Sequence, residues 1–254
     1  MDIYAHPASQ PSRSVLWFIA LNGIDCRVHH DPASNLSSIN PRQQIPFLVD
    51  SAFTINEMPA ILMYLAEKHQ CKSWWPDNIE NRARIQSYLH SHHTLTRLAT
   101  LKLMAPHVLT IFDKPPLGPS PSAVSNTIIK QALADPEKLK HGQSLMRDVL
   151  HVFESFYLSR EGYIGGLAHP SIADLAAYEE LAQLTWAQLM DLTPFPRTSA
   201  WMAKMSTLAM HDEIHRFNLE LGDILDKPYT SERFMKAISA GLEGLKDAGL
   251  RLID

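Results

Sequence analysis

The feature that most limits the fold is a change of rhythm near residue 70. Up to that point short extended runs alternate with helices, and beyond about residue 80 the apolar side chains recur at helical spacing. Asp2 to Ala5 reads as a strand and Pro7 to Gln10 as a turn. Pro11 then opens a helix whose apolar positions Val15, Leu16, Phe18 and Ile19 run to Asn22-Gly23. A strand around Cys26 to His29 precedes a turn-rich stretch from Asp31 to Gln43. Pro46 to Val49 and Phe53 to Ile55 form a hairpin over Asp50-Ser51-Ala52, and Glu57 to His69 a helix with Ile61, Leu62, Tyr64 and Leu65 on one side. Residues 1–72 are thus expected to make an α/β unit, 73–79 a linker, and 80–254 an all-helical unit. Within the helical unit one long helix spans Glu80 to Phe112, and the prolines of Asp113 to Ser125 make a loop. Further helices lie near Pro136 to Leu158, Ser171 to Leu189, Pro196 to Met210, and after Thr230.

Several function classes drop out on composition. Basic and acidic side chains number 23 and 27, for a formal net charge of -4, which leaves no cationic footprint for nucleic acid. With only Cys26 and Cys71, neither a disulfide framework nor a four-cysteine zinc site can form, and a reducing, cytoplasmic setting is expected. No apolar run reaches membrane-spanning length, and the start of the chain lacks the pattern of a secretory leader. The ten glycines match neither a dinucleotide fingerprint nor a Walker A loop. His90, His92 and His93, like His211 and His215, suggest metal ligands, but no zinc-protease spacing or third ligand accompanies them, so no metal is expected.

Three segments carry chemistry. Ser9-Gln10-Pro11-Ser12-Arg13 puts a hydroxyl where a strand turns into a helix, and open amides with the helix dipole there favour an anion such as a thiolate. The plain alternative is that Ser9 only caps the helix. Gln44-Ile45-Pro46 enters the hairpin with a residue that cannot donate to a sheet ladder. That suits an edge strand or a cis turn, and a cis turn would leave the Ile45 backbone open to an extended ligand. Asn56-Glu57-Met58 starts a helix whose amides can hold a carboxylate while Glu57 accepts from an ammonium, or it is simply an acidic first turn.

Arriving in this order, the three segments resemble a cytosolic glutathione transferase of the serine type, closest to the theta and delta classes. The resemblance spans nearly the whole chain. Asn81-Arg82-Ala83-Arg84-Ile85-Gln86-Ser87-Tyr88-Leu89 is similar to that family's opening helix of the second domain, and Ser171-Ile172-Ala173-Asp174 to its buried capping box. The resemblance implies a thioredoxin-like N-terminal domain followed by an all-α domain, with glutathione as co-substrate, a small hydrophobic electrophile, and a homodimer. It makes Ser9 the residue holding the glutathione sulfur, Ile45 with Pro46 the partner of the cysteinyl backbone, and Glu57 with position 58 the γ-glutamyl site. Gln43 and Gln44 fall where polar contacts to the glycyl carboxylate are made. Met58 departs from the family's usual Ser or Thr, removing a hydroxyl, and the segment Asp31 to Asn40 is short, with no match for the family's glycine-binding His.

The mechanism so implied keeps glutathione deprotonated and sets an electrophile beside it; peroxide reduction or dehalogenation would use the same thiolate. His93, Arg97, Leu101 and Met104 recur at spacings of four, four and three and are expected to line the electrophile pocket. Arg97 either points to that pocket, as in theta proteins, or makes an interhelix salt bridge. Phe217, Leu219 and Leu221, after His211, either cap the pocket or serve packing. The rival reading is a non-catalytic protein of the same fold that binds apolar ligands or partner proteins, motivated by Met58.

Overall fold

The computed structural model describes residues 1–30, 40, 44–112, 136–160, 162–227 and 229–253. The elements are β1 (Asp2–Tyr4), α1 (Gln10–Leu21), β2 (Arg27–His29), β3 (Phe47–Asp50), β4 (Phe53–Asn56) and α2 (Met58–Lys68). After these come α3 (Ile79–His92), α4 (Thr96–Phe112), α5 (Pro136–Val152) with a π-helical turn at Phe153–Tyr157, and α6 (Ile172–Trp186). The chain ends through α7 (Pro196–Met205), α8 (His211–Leu221), α9 (Ser231–Asp247) and β5 (Arg251–Ile253). An α/β sheet unit therefore precedes a mostly helical one, as the change of rhythm requires. The turn-rich 31–39 and 41–43 and the whole Pro-rich stretch 113–125 lie outside the described residues.

The sheet order is β4-β3-β1-β2-β5, with β1 parallel to β2 and antiparallel to β3. Ile3, Val28 and Leu48 are fully buried and meet Val15, Leu16, Phe18, Ile61 and Leu65 of α1 and α2 in one core. That core continues without a break into the helices, because α1 also packs on α6. Nearly every residue of α6 from Ile172 to Leu184 is buried, so this helix is the axis of the second unit. Its start is fixed by a reciprocal capping box between Ser171 and Asp174. The Asp174 carboxylate accepts from Ile164 N (2.9 Å), Ser171 N and Oγ (2.8 Å each) and Trp201 Nε1 (2.9 Å).

Three elements differ from the expectation. The long helix of residues 80–112 is two helices, with His93 ending α3 and α4 starting at Thr96. At the break Ser91 Oγ donates to Tyr88 O and Thr94 Oγ1 to Ser91 O, which also accepts from Leu95 N. The segment His211–Leu221, read only as the start of an extension, is a helix entered through Met210 in the left-handed region (φ 59°) with no side-chain cap. Residues 251–253, placed by sequence in the helical unit, instead add β5 in parallel to β2, pairing Val28 with Leu252.

The α3–α4 junction buries His92 completely, with its Nδ1 3.2 Å from Tyr88 Oη, which donates on to Thr96 Oγ1. Burial, then the nearby charges of Arg97 and His93, push the His92 pKa down to about 3. Folded His92 therefore stays neutral where an unfolded histidine, titrating near 6.5, takes up a proton. Its contribution is whole above about pH 6.5 and falls by roughly 1.4 kcal/mol per pH unit below it, about 2 kcal/mol at pH 5. Urea denaturation at pH 7.5 and pH 5 is expected to show this loss, and His92→Phe to remove about that much of it.

Candidate active site

Register brings the three chemical segments to one place. Tyr4 pairs with Phe47, and Phe47 with Asn56. The chain leaving β1, the chain entering β3 and the chain leaving β4 thus meet at one end of the sheet. Ile45-Pro46 and Glu57 are the next residues along two of those paths, and Ser9 lies five residues beyond Tyr4 on the third.

Ser9 is the N-cap of α1 in extended conformation, its Oγ accepting from Ser12 N at 3.4 Å. Capping uses an oxygen lone pair and leaves the hydroxyl proton for donation, so the capping and anion-holding readings of Ser9 are compatible. The turn before it is tied twice to His6: Ser9 N donates to His6 O at 3.0 Å and Ala8 N to His6 Nδ1 at 3.2 Å.

Below the turn lies an ionic group that the sequence reading did not find. Arg13 is fully buried; its Nη1 donates to Pro7 O at 2.8 Å and its Nε to Glu179 Oε2 of α6 at 2.7 Å. The other oxygen of Glu179 faces His215 Nε2 of α8 at 2.7 Å, and His215 Nδ1 donates to His211 O at 2.6 Å. Burial acts to raise the Glu179 pKa, but His215 and Arg13 outweigh it and hold the carboxyl below its ordinary value. The Ser9 turn, α6 and α8 are locked together through one carboxylate. Arg13 belongs to the Ser9–Arg13 segment, but its ionic partner Glu179 lies 166 residues away and His215 a further 36, and no local spacing announces them.

Of the two readings of Ile45-Pro46 the structure takes the cis turn: the peptide is cis, and β3 is not an edge strand but lies between β4 and β1. Gln44 O accepts from Asn40 Nδ2 at 2.8 Å. Gln43 lies outside the described residues. Glu57 sits at φ 71°, ψ 118°, a conformation that a side chain makes uncommon and that clusters at ligand sites. The first helical bond of α2 runs from Ile61 N to Glu57 O, so the amides of Met58 and Ala60 stand ahead of the ladder. The Met58 side chain is turned into the core at 3% exposure.

The four residues expected to line a pocket do not share one helix. His93, at the end of α3, reaches across to the first unit, its Nε2 3.5 Å from Glu57 Oε2. Arg97, on α4, takes the interhelix partner: Nη1 donates to Glu180 Oε1 at 2.7 Å, and the guanidinium stays partly exposed. Gln183 Nε2 approaches Glu180 Oε2 at 3.5 Å and its Oε1 accepts from Gln10 Nε2 at 2.6 Å, so this polar path ends beside Ser9. Leu101 is half-buried, and Met104 belongs to the core.

The α8–α9 hairpin roofs the Ser9 turn. Phe217 and Leu221 pack with Phe234, Ala237 and Ile238, and Ala8 and Tyr229 lie against that cluster, while Leu219 is exposed. Gly241 faces Pro7 so closely that a Cβ would come within 2.8 Å of the proline ring, so only glycine permits this approach. Burial raises the Tyr229 phenol to about 12, against the charges of Arg233 and Arg13. Burial likewise pushes the Cys26 thiol up to about 11, which removes it as a nucleophile near neutrality. Among the described residues no group of three or more His, Cys, Asp or Glu is placed to hold a metal.

Comparison with known proteins bears on the first unit and on nearly the whole chain. Residues 3–73 match the family model "Glutathione S-transferase, N-terminal domain". Glutathione S-transferase T3 of Arabidopsis thaliana is 30% identical over 85% of this chain and 36% of the relative; the chain thus spans about a third of that protein's length. Dichloromethane dehalogenase of Methylophilus leisingeri is 30% identical over 79% of this chain and 73% of its own. Among solved structures, a human theta-class glutathione transferase in complex with the glutathione conjugate of 1-menaphthyl sulfate superposes with a TM-score of 0.71 at 25% identity. That match covers 94% of this chain and 98% of the human one.

Proposed function

The chain belongs to the glutathione S-transferase family, on its theta-like side, and from that premise we propose that it activates the thiol of glutathione at Ser9 and transfers the sulfur to small apolar electrophiles. The observation that carries this reading is the meeting of the Ser9 cap, the Ile45-Pro46 turn and the strained Glu57 at one end of the sheet. In the proposed complex the Ser9 hydroxyl donates to the thiolate, aided by the α1 amides. The Ile45 backbone pairs with the cysteinyl residue, Glu57 accepts from the γ-glutamyl ammonium, and the Met58 amide faces its carboxylate. Gln43 and Gln44 serve the glycyl end. The thiolate then attacks carbon, a C–S bond forms, and the leaving group departs with the electron pair of the broken bond. The name of the Methylophilus relative supports a halomethane as one electrophile, with chloride as the leaving group.

His93, Arg97, Leu101 and Met104 are proposed for the electrophile side, with His93 and Arg97 as its polar members and the two apolar residues supplying packing. A homodimer and a cytosolic setting complete the proposal, and light scattering at the monomer mass across a dilution series would count against the dimer. Titration calorimetry with glutathione and chloride release from dichloromethane test the activity. Absence of glutathione binding at millimolar concentration would leave the ligand-binding reading, which Met58 favours.

Met58→Ser restores the missing hydroxyl. It is expected to tighten glutathione by about tenfold or more, the worth of one charge-assisted hydrogen bond. The same change removes a buried side chain and should lower stability by about 2–3 kcal/mol. Calorimetry and urea melts on the same protein separate the two effects; unchanged affinity would place the glutamyl carboxylate elsewhere.

A further inference from the structure

Glu179 and Glu180 are buried neighbours on α6, and their partners leave them in different charge balance. Glu180 meets the Arg97 guanidinium at 2.7 Å and His92 Nε2 at 3.7 Å, and because His92 stays neutral this group sums to zero. Glu179 meets Arg13 and His215, and both ring nitrogens of His215 are engaged. Nδ1 lies 2.6 Å from the His211 carbonyl oxygen, which can only accept, so Nδ1 carries a proton. Nε2 lies 2.7 Å from Glu179 Oε1, and a contact of that length between these atoms also holds a proton. A guanidinium, a carboxylate and an imidazole with one proton beyond its neutral form add up to one positive charge.

This surplus lies directly behind the Ser9 turn. Arg13 N donates to Ser9 O at 2.9 Å and Arg13 Nη1 to Pro7 O at 2.8 Å, so the residue is tied to the turn at two points. Two donors in the first turn of α1, Ser12 Oγ and Arg13 Nη2, are buried with no hydrogen-bond partner among the described residues, so no second acceptor quenches the guanidinium.

The other groups that face His215 do not cancel the charge. His211, on the same helix, stacks on it with centroids 4.5 Å apart and is held below its ordinary pKa by burial and then by the charge of His215. It bonds Tyr178 Oη and Asp212, each at 2.7 Å, and Asp212 stands in solvent, where its charge is screened. Trp17 of α1 and Tyr178 and Trp186 of α6 close in the ring, and burial raises the Tyr178 phenol so that it stays neutral. From α9, Gly244 approaches Glu213 O and Arg216 Cβ, and Asp247 is taken by Arg216 at 2.6 Å.

We propose that His215 is a positioning residue for the thiolate: through Glu179 and Arg13 it holds a buried positive charge behind the Ser9 turn, which favours thiolate over thiol there. The use of that charge rests on the reading of Ser9 as the sulfur site. A charge on the order of 10 Å away, at an effective dielectric of about 20, moves a thiol pKa by about one unit.

A thiol placed at position 9 measures this field with no glutathione present. In Ser9→Cys, Ser9→Cys/His215→Gln and Ser9→Cys/Glu179→Gln, the pH dependence of alkylation by iodoacetamide, read at position 9 by peptide mass spectrometry, gives its pKa. His215→Gln deletes a positive member and should raise that pKa by about half a unit to one unit, whereas Glu179→Gln deletes the negative member and should leave it equal or lower. Both changes are expected to lower the melting temperature, so disturbed packing alone would move the two pKa values in the same direction. A rise in both variants, or no rise with His215→Gln, would overturn the inference. Should His215→Gln not fold, ¹⁵N NMR of the wild-type chain at pH 8 decides: one exchange-protected histidine ring with protons on both nitrogens is expected, and its absence would overturn the charge assignment. With Ser9 intact, His215→Gln should lower kcat/KM for a small halide about threefold to eightfold at pH 6 and hardly at all at pH 8.5, and an unchanged pH profile would count against it. A shift at position 9 in a chain that binds no glutathione would support the buried charge and remove the reading of Ser9 instead.

Discussion

Ser9→Ala is expected to lose about 25-fold to 100-fold in kcat/KM at pH 7 with a small aryl or alkyl halide. The size follows from thiol chemistry. A glutathione thiol brought from about 8.5 to about 6.5 is roughly 75% ionised at pH 7 rather than about 3%, and that shift is worth about 2.7 kcal/mol. The loss should shrink as pH rises past about 8.5, where the free thiol ionises without help. Ultraviolet difference absorbance of bound thiolate against pH reads the same shift directly. Because Ser9 also caps α1, the alanine variant should lose about 1 kcal/mol of stability as well. Ser9→Asp separates the roles: aspartate caps as well as serine, so stability is kept, while its charge beside the sulfur should raise the thiol pKa and leave activity as low or lower. Coincident thiolate titrations in wild type and Ser9→Ala would move the role to Ser12 or to the α1 amides.

Arg13→Met is expected to destabilise the fold by about 3–5 kcal/mol. It leaves the Glu179 carboxylate buried with one partner fewer and the Pro7 carbonyl without its donor. The variant Arg13→Met/Glu179→Gln should recover part of that loss, since the uncompensated charge is gone, and a double-mutant cycle by urea denaturation measures the recovery. Equal stability of the single and double variants would mean that the pairing contributes little. Acid should act through the same group: Glu179, held below its ordinary pKa, contributes stability above that ordinary value, and the contribution is lost as pH falls through the lowered one.

How much of this was legible depends on how far apart the cooperating residues are. Ser9, Pro11 and Gly23 punctuate α1 within a dozen or so positions, and Ile45-Pro46 and Asn56-Glu57-Met58 declare themselves as short strings, so the α/β unit and the candidate site proposed on it were both legible as local patterns. The α3–α4 break was hidden because no proline or glycine falls between His90 and Arg97 and the helical spacing runs through His93, Thr94 and Leu95. Helix α8 follows Met210, a residue with no capping oxygen, so only the acidic pair Asp212 and Glu213 in its first turn marks its start. The Arg13, Glu179 and His215 group joins three distant elements and surfaces only once they pack. The same holds for Arg97, whose choice of Glu180 depends on the depth of α6 beneath it.

The pairing of β2 with β5 has a consequence for biosynthesis. Val28 waits for Leu252, so 224 residues must be made before the edge of β2 is covered. At about 5–20 residues per second that interval is on the order of 10 to 45 seconds, during which a nascent sheet displays an open strand edge. A ribosome-bound chain would thus carry an uncovered β2 edge while the helices are being synthesised, the interval in which a holdase that covers strand edges would act.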